Sequence, residues 1–130
     1  MTGAAGQIGT DLVPELRKLY GPENVVATMN RTPLSQEISS GGPTSSLDVT
    51  NYAAITSLLK VEKIDKVFHL SSVLSALAEN NRWSAYAVNL TGLINVLEGS
   101  IECGVSQVIV PSSIAAFGSK SPQVDTPNDT

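Results

Sequence analysis

Apolar residues along the chain follow two alternating patterns, which predict helices and strands in turn. The first pattern has helical spacing, three or four residues apart, and consists of Ile8, Leu12, Leu16 and Leu19. Gly21 and Pro22 are expected to end this helix, because neither residue continues one readily. Residues 24–29 form a short apolar run rich in β-forming side chains, which predicts a strand.

The same alternation continues to residue 110. Residues 30–46 are rich in Ser, Thr, Gly and Pro and predict a loop, with a weak strand just before Leu47. Asn51 is suited to cap a second helix that runs to about Lys60. The remaining predictions are a strand at 65–70, a small-residue loop at 71–76, a helix from about Arg82 to Cys103, a strand at 107–110 and a loop at 119–130.

Strands that alternate with helices predict an α/β domain, built on a doubly wound parallel sheet with right-handed crossovers. We treat residues 1–130 as one such domain. Only Met1 and Thr2 precede the glycine-rich turn before the first helix, so most of the first strand is missing. That strand is central in a doubly wound sheet. Its absence predicts a gap in the sheet and a polypeptide truncated on its upstream side.

Composition argues against several classes of protein. The chain has 130 residues, a net charge of −4 and an isoelectric point near 4.8, whereas a nucleic-acid-binding domain needs clustered Lys and Arg. The single cysteine, Cys103, cannot form a disulfide within the chain or a Cys-rich metal site, and we expect it to be a small buried hydrophobe. No apolar run is long enough to span a membrane. Neither nucleic acid, membrane nor metal is therefore an expected partner.

Glycines recur at every third residue in the turn that opens the chain, at Gly3, Gly6 and Gly9. A turn that holds a pyrophosphate needs such glycines. One bends the chain tightly, one lets phosphate oxygens approach the backbone, and one lets the helix pack close to the sheet. The phosphates then accept hydrogen bonds from free N–H groups at the helix N-terminus. Three glycines also occur in plain loops, and the amphipathic helix that follows is what favours a nucleotide site.

Six segments together give the chain a specific resemblance. They are residues 2–9 (TGAAGQIG), 47–49 (LDV), 68–72 (FHLSS), 74–76 (LSA), 88–92 (VNLTG) and 111–118 (PSSIAAFG). The chain resembles the N-terminal part of L-threonine 3-dehydrogenases of the extended short-chain dehydrogenase/reductase type and is similar, more distantly, to sugar-nucleotide epimerases and dehydratases. The LSA and PSSIAAFG segments favour the threonine enzymes. The resemblance implies a Rossmann-type sheet, an NAD cofactor and a C-terminal substrate region that this chain lacks.

The resemblance places the first segments around the cofactor. The residues expected beside its diphosphate are Gly3, Gly6, Gln7, Ile8 and Gly9. Asp48 would accept a hydrogen bond from the adenine amino group, which suits a carboxylate, while Val49 packs on the ring. From sequence alone, Asp48 is equally well explained as a cap of the helix that begins near Asn51.

The later segments are expected at the other side of the cofactor. Leu70, Ser71 and Ser72 end a parallel strand, where ligands bind in open sheets, and the resemblance places them beside the adenosine ribose and diphosphate. Asn89 would lie near the ribose on the nicotinamide side and hold neighbouring backbone, and its plainer interpretation is that it pins a loop. It shares a predicted helical face with Ala85, Gly92 and Val96.

Ser113 is the residue expected to contact the reacting part of the substrate, with Ser112 as its alternative. The resemblance implies a Ser or Thr here that hydrogen-bonds the oxygen at the reacting carbon. The residues alone indicate an ordinary Ser in a turn after a strand. Ser75 is expected to contact the substrate amino acid. His69, the only histidine, is expected to be structural rather than a catalytic base.

One position departs from the pattern of a dinucleotide site. A carboxylate that binds the adenosine ribose is expected about 20 residues after the glycine turn, and Met29 stands there. Met29 cannot accept the hydroxyl protons of the ribose, although Asn30 can take one such bond and Arg31 could favour a 2′-phosphate. NAD is the cofactor that the resemblance implies and NADP is the alternative. Met29 should weaken binding, because charge-assisted hydrogen bonds are about twice as strong as neutral ones.

A second departure concerns catalysis. The related enzymes use Tyr-x-x-x-Lys, in which Lys lowers the pKa of the acid/base Tyr. The residues four positions after Tyr20, Tyr52 and Tyr86 are Asn24, Thr56 and Leu90. The motif is absent, and in the related enzymes it lies beyond the position of Ser113. We predict that this polypeptide alone does not oxidise threonine.

The sequence thus predicts the cofactor-binding half of an enzyme that oxidises its small-molecule substrate, L-threonine, to 2-amino-3-oxobutanoate with NAD. One alternative is an NAD-dependent sugar-nucleotide epimerase or dehydratase. The other is a non-catalytic dinucleotide-binding protein or a remnant. The resemblance also suggests a homodimer built on helices of this half, and it leaves open whether the compartment is cytoplasm or mitochondrion.

Overall fold

The computed structural model describes residues 1–113, 118, 121, 122, 124 and 126, and the backbone alone of residues 75–77. The described helices and strands are α1 (Gln7–Tyr20), β1 (Ala27–Met29), α2 (Gln36–Ser40), β2 (Thr44–Ser46), α3 (Tyr52–Val61), β3 (Lys66–Phe68), α4 (Ser75–Asn80), α5 (Arg82–Tyr86), α6 (Gly92–Cys103) and β4 (Gln107–Ile109). A π-helical turn at Ala87–Thr91 joins α5 to α6. Within this described part, no helix combines the length and the apolar character needed to cross a membrane.

Local sequence explains where the main helices begin and end. α1 ends at Gly21, whose φ of 92° lies in the region that favours glycine and whose N–H donates to the Arg17 carbonyl at 3.0 Å. Asn51 caps α3, because its side chain accepts a hydrogen bond from the Ala54 N–H at 3.1 Å. Both ends lie where the sequence predicted them.

The strands form one interrupted parallel sheet. β1 pairs with β2, and β3 pairs with β4, both in parallel. Met1 and Thr2 lie between the two pairs: the Thr28 N–H donates to the Met1 carbonyl at 2.9 Å, and the Thr2 N–H donates to the Phe68 carbonyl at 2.9 Å. The order across the sheet is therefore β2, β1, Met1–Thr2, β3, β4. This is the predicted Rossmann-type arrangement, with its first strand reduced to two residues.

A groove occupies the place of the rest of that first strand. It has a volume of about 360 Å³ and separates the start of β1 from the start of β3. Its walls include Val25, Val26, Ile64 and Lys66, and Met1 borders it. We refer to this groove as the strand gap. The gap predicted in the sheet is thus confirmed.

Two hydrophobic clusters hold the helices to the strands. The cluster of α1, β1 and α2 is formed by Ala4, Val13, Ala27, Leu34 and Ile38. The cluster of α3, β3 and α6 is formed by Leu47, Val49, Ile55, Leu59, Val67 and Val96. Cys103, predicted to be a small buried hydrophobe, packs against this second cluster and is half-buried.

Three of the predicted elements need correction. The loop predicted over 30–46 contains α2, which begins where the Ser35 hydroxyl accepts a hydrogen bond from the Ile38 N–H at 3.3 Å. The loop predicted to reach residue 76 ends earlier, because α4 begins at Ser75. The single helix predicted over 82–103 contains the π-turn. Helices and turns this short are set by local hydrogen bonds rather than by an apolar period.

Candidate functional site

The glycine turn packs directly against the segment that follows β3. Gly3 has a φ of 71°, and a Cβ placed on it would lie 2.6 Å from the Leu70 carbonyl carbon and 2.8 Å from the Ser71 nitrogen. A Cβ on Gly9 would lie 2.3 Å from the Gly3 carbonyl oxygen. Both positions therefore admit only glycine without a backbone shift, for the two reasons that a dinucleotide turn predicts.

The first helix begins without a side-chain cap. Gly6 is the N-cap residue, and no side chain there accepts a hydrogen bond. The N–H groups of Gln7, Ile8 and Gly9 in the first turn have no carbonyl partner within the helix. Together with the positive end of the helix dipole, these groups favour an anion at this end of α1.

A cleft of about 460 Å³ opens beside this turn, at the carboxyl ends of the strands. Five segments meet there: the glycine turn, the end of β1, the segment after β2, the segment after β3, and α5 with the π-turn that follows it. The predicted cofactor residues that line the cleft are Gly3, Gly6, Asn30, Asp48, Val49, Leu70, Ser71 and Ser72. Open α/β sheets bind ligands at this edge, at the point where the strand order reverses.

Asp48 presents a charged carboxylate at the wall of the cleft. Its Oδ1 accepts hydrogen bonds from the Thr50 N–H at 2.9 Å and from the Thr50 hydroxyl at 2.8 Å. The Thr50 N–H and then the Thr50 hydroxyl hold the pKa of Asp48 below its usual value, with smaller contributions from Asn30 and Arg31. The alternative that Asp48 caps the segment at Thr50–Asn51 holds for the turn at Thr50, whereas α3 itself is capped by Asn51.

Two asparagines fix the segments that border the cleft. The side chain of Asn89 accepts from the Val73 N–H at 2.7 Å and donates to the Val73 carbonyl at 3.0 Å. Asn95 donates to the carbonyls of Val49 and Thr50, each at 3.1 Å. Asn89 therefore pins a loop and does not itself line the cleft. Asn95 was missed, because nothing in its spacing distinguishes it from a surface residue of α6.

The π-turn also corrects the predicted environment of Asn89. Ala85, Gly92 and Val96 are buried, as their shared helical face predicts, whereas Asn89 is exposed. A π-turn has a wider hydrogen-bonded ring than an α-helix, so Asn89, which lies within it, does not share the buried face of its predicted neighbours Ala85 (i−4) and Gly92 (i+3).

A buried hydrogen-bonded pair lies behind the glycine turn. The Thr2 hydroxyl and His69 Nδ1 are 2.8 Å apart, and the Ser71 N–H donates to the same hydroxyl at 3.4 Å. Burial lowers the pKa of His69. The structure thus makes His69 a structural residue, as predicted. Thr2, which the sequence analysis missed, ties the glycine turn to the segment after β3, and a lone Thr at a strand end carries no pattern that could have revealed this.

The predicted substrate residues are not among the described residues that line the cleft. Ser112 and Ser113 are exposed beyond the end of β4, and neither is among the described residues that line the cleft. The backbone of Ser75 begins α4, but its side chain lies outside the described part of the chain. The roles of Ser113 and Ser75 therefore stay predictions.

Other residues of the cleft were not predicted. Ser84, Ala87 and Val88 line it from α5 and the π-turn, and their spacing of three and four is the signal that could have placed them together. Arg31, which the sequence analysis named as a candidate partner for a 2′-phosphate, lines it at the end of β1. Among the described lining residues, Asp48 is the only carboxylate and Arg31 the only cation.

A glycine turn, an uncapped helix and a cleft at the carboxyl edge of a doubly wound sheet define a dinucleotide-binding α/β domain. The chain matches the NAD dependent epimerase/dehydratase family over residues 1–130 and belongs to it. The predicted cofactor, NAD, is thereby confirmed at the level of the family. The substrate differs among the similar proteins that follow.

Three similar proteins illustrate that range. An uncharacterized epimerase/dehydratase of Staphylococcus saprophyticus is 45% identical over 130 residues, which is 100% of this chain and 40% of that protein. The structure of an L-threonine dehydrogenase from Clostridium difficile has a TM-score of 0.91 and 42% identity, over 99% of this chain and 40% of that one. A UDP-glucose 4-epimerase of Thermus thermophilus in complex with NAD has a TM-score of 0.70 and 25% identity, over 82% and 34%. The chain thus spans about two fifths of its relatives.

Proposed function

We propose that the cleft holds the adenosine diphosphate part of NAD, and that the chain is the cofactor-binding part of an L-threonine 3-dehydrogenase. The observation that carries the threonine proposal is the likeness to the C. difficile L-threonine dehydrogenase, which is greater in both sequence and structure than the likeness to the UDP-glucose 4-epimerase. The geometry of the cleft supports the cofactor part independently.

The residues of the cleft fit an adenosine diphosphate in three places. The free N–H groups at the start of α1 suit the diphosphate, which approaches the backbone where Gly3 and Gly6 have no side chains. Asp48 suits the adenine amino group, because it is held in its charged form. Leu70, Ser71 and Ser72 lie at the wall of the cleft beside the turn. Bound NAD would supply the acceptor for the hydride that leaves the substrate.

The order of the strands supports the substrate-binding roles that we propose for the serines. β4 is the neighbour of β3 and runs parallel to it, so the segment after β4 reaches the same edge of the sheet as the cleft. In the full-length protein, Ser113 would hydrogen-bond the oxygen at the reacting carbon, with Ser112 as the neighbouring candidate. Ser75 would contact the amino acid part of the substrate. Asn89 acts on the site by holding Val73.

A sugar-nucleotide substrate is the second candidate. The name of the S. saprophyticus relative, an epimerase/dehydratase, favours it. The full-length product of the gene that encodes this chain decides between the two: reduction of NAD with L-threonine supports the first, and epimerisation of UDP-glucose without threonine oxidation overturns it. In that protein, Ser113→Ala should lower kcat and leave the Kd for NAD unchanged, and an unchanged kcat would remove Ser113 from the site.

The cofactor proposal is tested on the chain itself by titration calorimetry with NAD. Asp48→Asn should weaken binding about fivefold, because a charge-assisted hydrogen bond becomes a neutral one. Asp11→Asn is the matched control, since Asp11 is an exposed acid of α1 outside the cleft, and it should leave the Kd unchanged. A folded sample that binds no NAD would overturn the proposal, whatever the variants do.

We also propose a homodimer formed through α5 and α6. Both helices expose large apolar side chains, Trp83 and Tyr86 on α5 and Ile94, Leu97 and Ile101 on α6, and the three on α6 form a stripe at spacings of three and four residues. Such a stripe normally packs against another helix, and the same stripe on a second copy is a complementary partner. Sedimentation equilibrium of the full-length protein measures this, and a monomer at all concentrations would contradict it.

A further inference from the structure

The strand gap has the width of one extended chain. Met1–Thr2 lies between β1 and β3 and hydrogen-bonds to both walls. The groove continues between the same two walls toward their amino ends. Neighbouring strands in a sheet lie about 4.8 Å apart, so a single further strand, parallel to β1 and β3, fits between the walls.

Both walls direct backbone donors into the strand gap. Val26 is buried, and its N–H donates to no group in the described part of the chain. On the opposite wall, the Phe68 carbonyl accepts from the Thr2 N–H, and the Phe68 N–H faces the same side, because both backbone groups of a residue in a parallel ladder meet one neighbour. A buried donor without a partner costs about 1–3 kcal/mol, which an acceptor in the groove would remove.

The inner end of the strand gap carries an amino group that lacks an anion. The Met1 ammonium is buried there, and the Val26 carbonyl at 2.7 Å is its one described acceptor. An ammonium can donate three hydrogen bonds, and burial lowers the pKa of this one to about 6. A carboxylate at this end would pair with the ammonium and accept from the Phe68 N–H as well.

The side chains of the walls suit apolar residues before such a carboxylate. The apolar residues that line the strand gap are Leu16, Val25, Val26, Ile64 and Phe68. A strand covered on both faces is typically rich in Val, Ile and Leu. The wall from Ile64 to Phe68 is four residue steps long, so about four residues of a parallel strand pair with it.

We propose that the strand gap is a docking site for the C-terminal tail of a second polypeptide, an extended apolar segment that ends in a free α-carboxylate. Its last residue donates to the Lys66 carbonyl, and its carboxylate accepts from Met1 and Phe68. The residue before it accepts from the Val26 N–H. The mode combines strand addition with the capture of a terminal carboxylate. It is independent of the proposed function, because the strand gap and the cleft lie at opposite ends of the strands.

A synthetic peptide, Lys-Val-Ile-Val-Val, with fluorescein at its amino end and a free carboxyl end, is the probe for the unmodified chain. Fluorescence anisotropy should show binding of the free acid, and amidation of its carboxyl end should weaken binding about tenfold, because a charge-assisted contact is lost. Equal affinities of acid and amide would overturn the capture of a carboxylate, and a folded chain that does not bind the acid would overturn the site.

A peptide of residues 124–130 tests whether the tail of a second copy is the occupant instead. This segment is polar, and Pro127 has no N–H to donate. It should bind at least about tenfold more weakly than the apolar probe, because it lacks the apolar surface that the walls match. An equal affinity would overturn the proposed partner in favour of a second copy.

Two changes to the chain locate the bound probe. Acetylation of the Met1 amino group alone removes the charge and fills the inner end of the groove, so it should abolish binding. Ile94→Asp is the control for adhesion to the exposed apolar face of α6, since Ile94 does not line the strand gap, and it should leave the Kd unchanged. Binding that survives acetylation, or that Ile94→Asp abolishes, would overturn the site. The affinity for NAD should stay the same in both forms, so the two proposals fail separately.

Discussion

Two hollows lie at opposite ends of the strands, separated by Met1–Thr2 and the glycine turn. The cleft at the carboxyl ends is lined by Asp48 and Val73, whose hydrogen-bond partners lie within the protein: Thr50 for Asp48, and Asn89 for Val73. The strand gap at the amino ends is bordered by the Met1 ammonium, which is buried and donates to the Val26 carbonyl at 2.7 Å.

The difference separates the proposed cofactor cleft from the strand gap. The walls of the cleft are held in place by hydrogen bonds within the protein, so the proposed cofactor would need little ordering on binding. The gap contains a charge that the structure stabilises poorly, since burial lowers the pKa of the Met1 amino group to about 6. Volume alone, about 460 Å³ against about 360 Å³, would not reveal this difference.

The largest effect is expected at the turn that separates the two hollows. Gly3→Ala should lower the free energy of unfolding by about 4 kcal/mol, from the left-handed backbone and from the clash with Leu70 together. Gly104→Ala is a matched control, because Gly104 has the same φ of 71° but has no atom within 4 Å of its Cβ position. It should lose about 1 kcal/mol. Urea denaturation measures both, and equal losses would show that the approach to Leu70 is not required.

The next largest effect is a dependence of the free energy of unfolding on pH, caused by the Met1 amino group at the strand gap. The amino group of Met1 has a pKa of about 6 in the folded chain and 8.0 ordinarily, so the unfolded chain binds more protons between these values. The free energy of unfolding should therefore fall by about 2 kcal/mol as the pH falls from 8 to 6. His69, whose pKa is also lowered by burial, should extend the loss below its ordinary value of 6.5.

Acetylation of the Met1 amino group separates these two contributions. It removes the charge, and the strand gap has room for the added group. The acetylated chain should keep its stability down to about pH 6.5 and lose it only below, where His69 titrates. Urea midpoints measured across this range for both forms provide the comparison, and identical profiles would exclude the ammonium as the cause.

The smallest effect is expected when either of two asparagines, one beside each hollow, is replaced by alanine. Asn89 holds Val73 beside the cleft, and Asn24 borders the strand gap and donates to the Tyr20 carbonyl at 2.8 Å. Each change to Ala should lower the free energy of unfolding by about 1 kcal/mol, because both residues are exposed. Only Asn89→Ala should weaken NADH binding, by about threefold in a fluorescence titration. Equal nucleotide affinities would mean that Val73 needs no anchor.

The sequence predicted the fold well where one signal dominated. The apolar spacing of α1 extends over a whole face, and Asn51 caps α3 by a short local hydrogen bond, so neither depends on distant contacts. α2 was missed because its five residues are too few to show a period. Ser35, whose side chain caps the helix at the Ile38 N–H, was a signal for this helix in the sequence. No apolar period accompanied that signal, because the helix is too short to show one.

The parts of the site that depend on backbone geometry could be predicted from the sequence, whereas its long-range side-chain contacts could not. Gly3 and Gly9 follow from close approach, which glycine spacing reveals. Asn95 and Thr2 act through partners 45 or more residues away in sequence, and no local pattern records such contacts. Ser113 was inferred from resemblance alone, and its position beyond β4 leaves its role to experiment.

The π-turn at Ala87–Thr91 makes this part of the fold sensitive to the length of the chain rather than to its composition. A π-turn closes its hydrogen bonds over one residue more than an α-helix does. Deletion of a single residue there would allow a regular helix from α5 to α6, because the π-turn takes up its extra residue locally and the flanking helices would stay near their present register. Ala87 and Val88, which line the cleft from within the turn, would lose their present places, so a one-residue deletion should harm nucleotide binding more than most substitutions in the same turn.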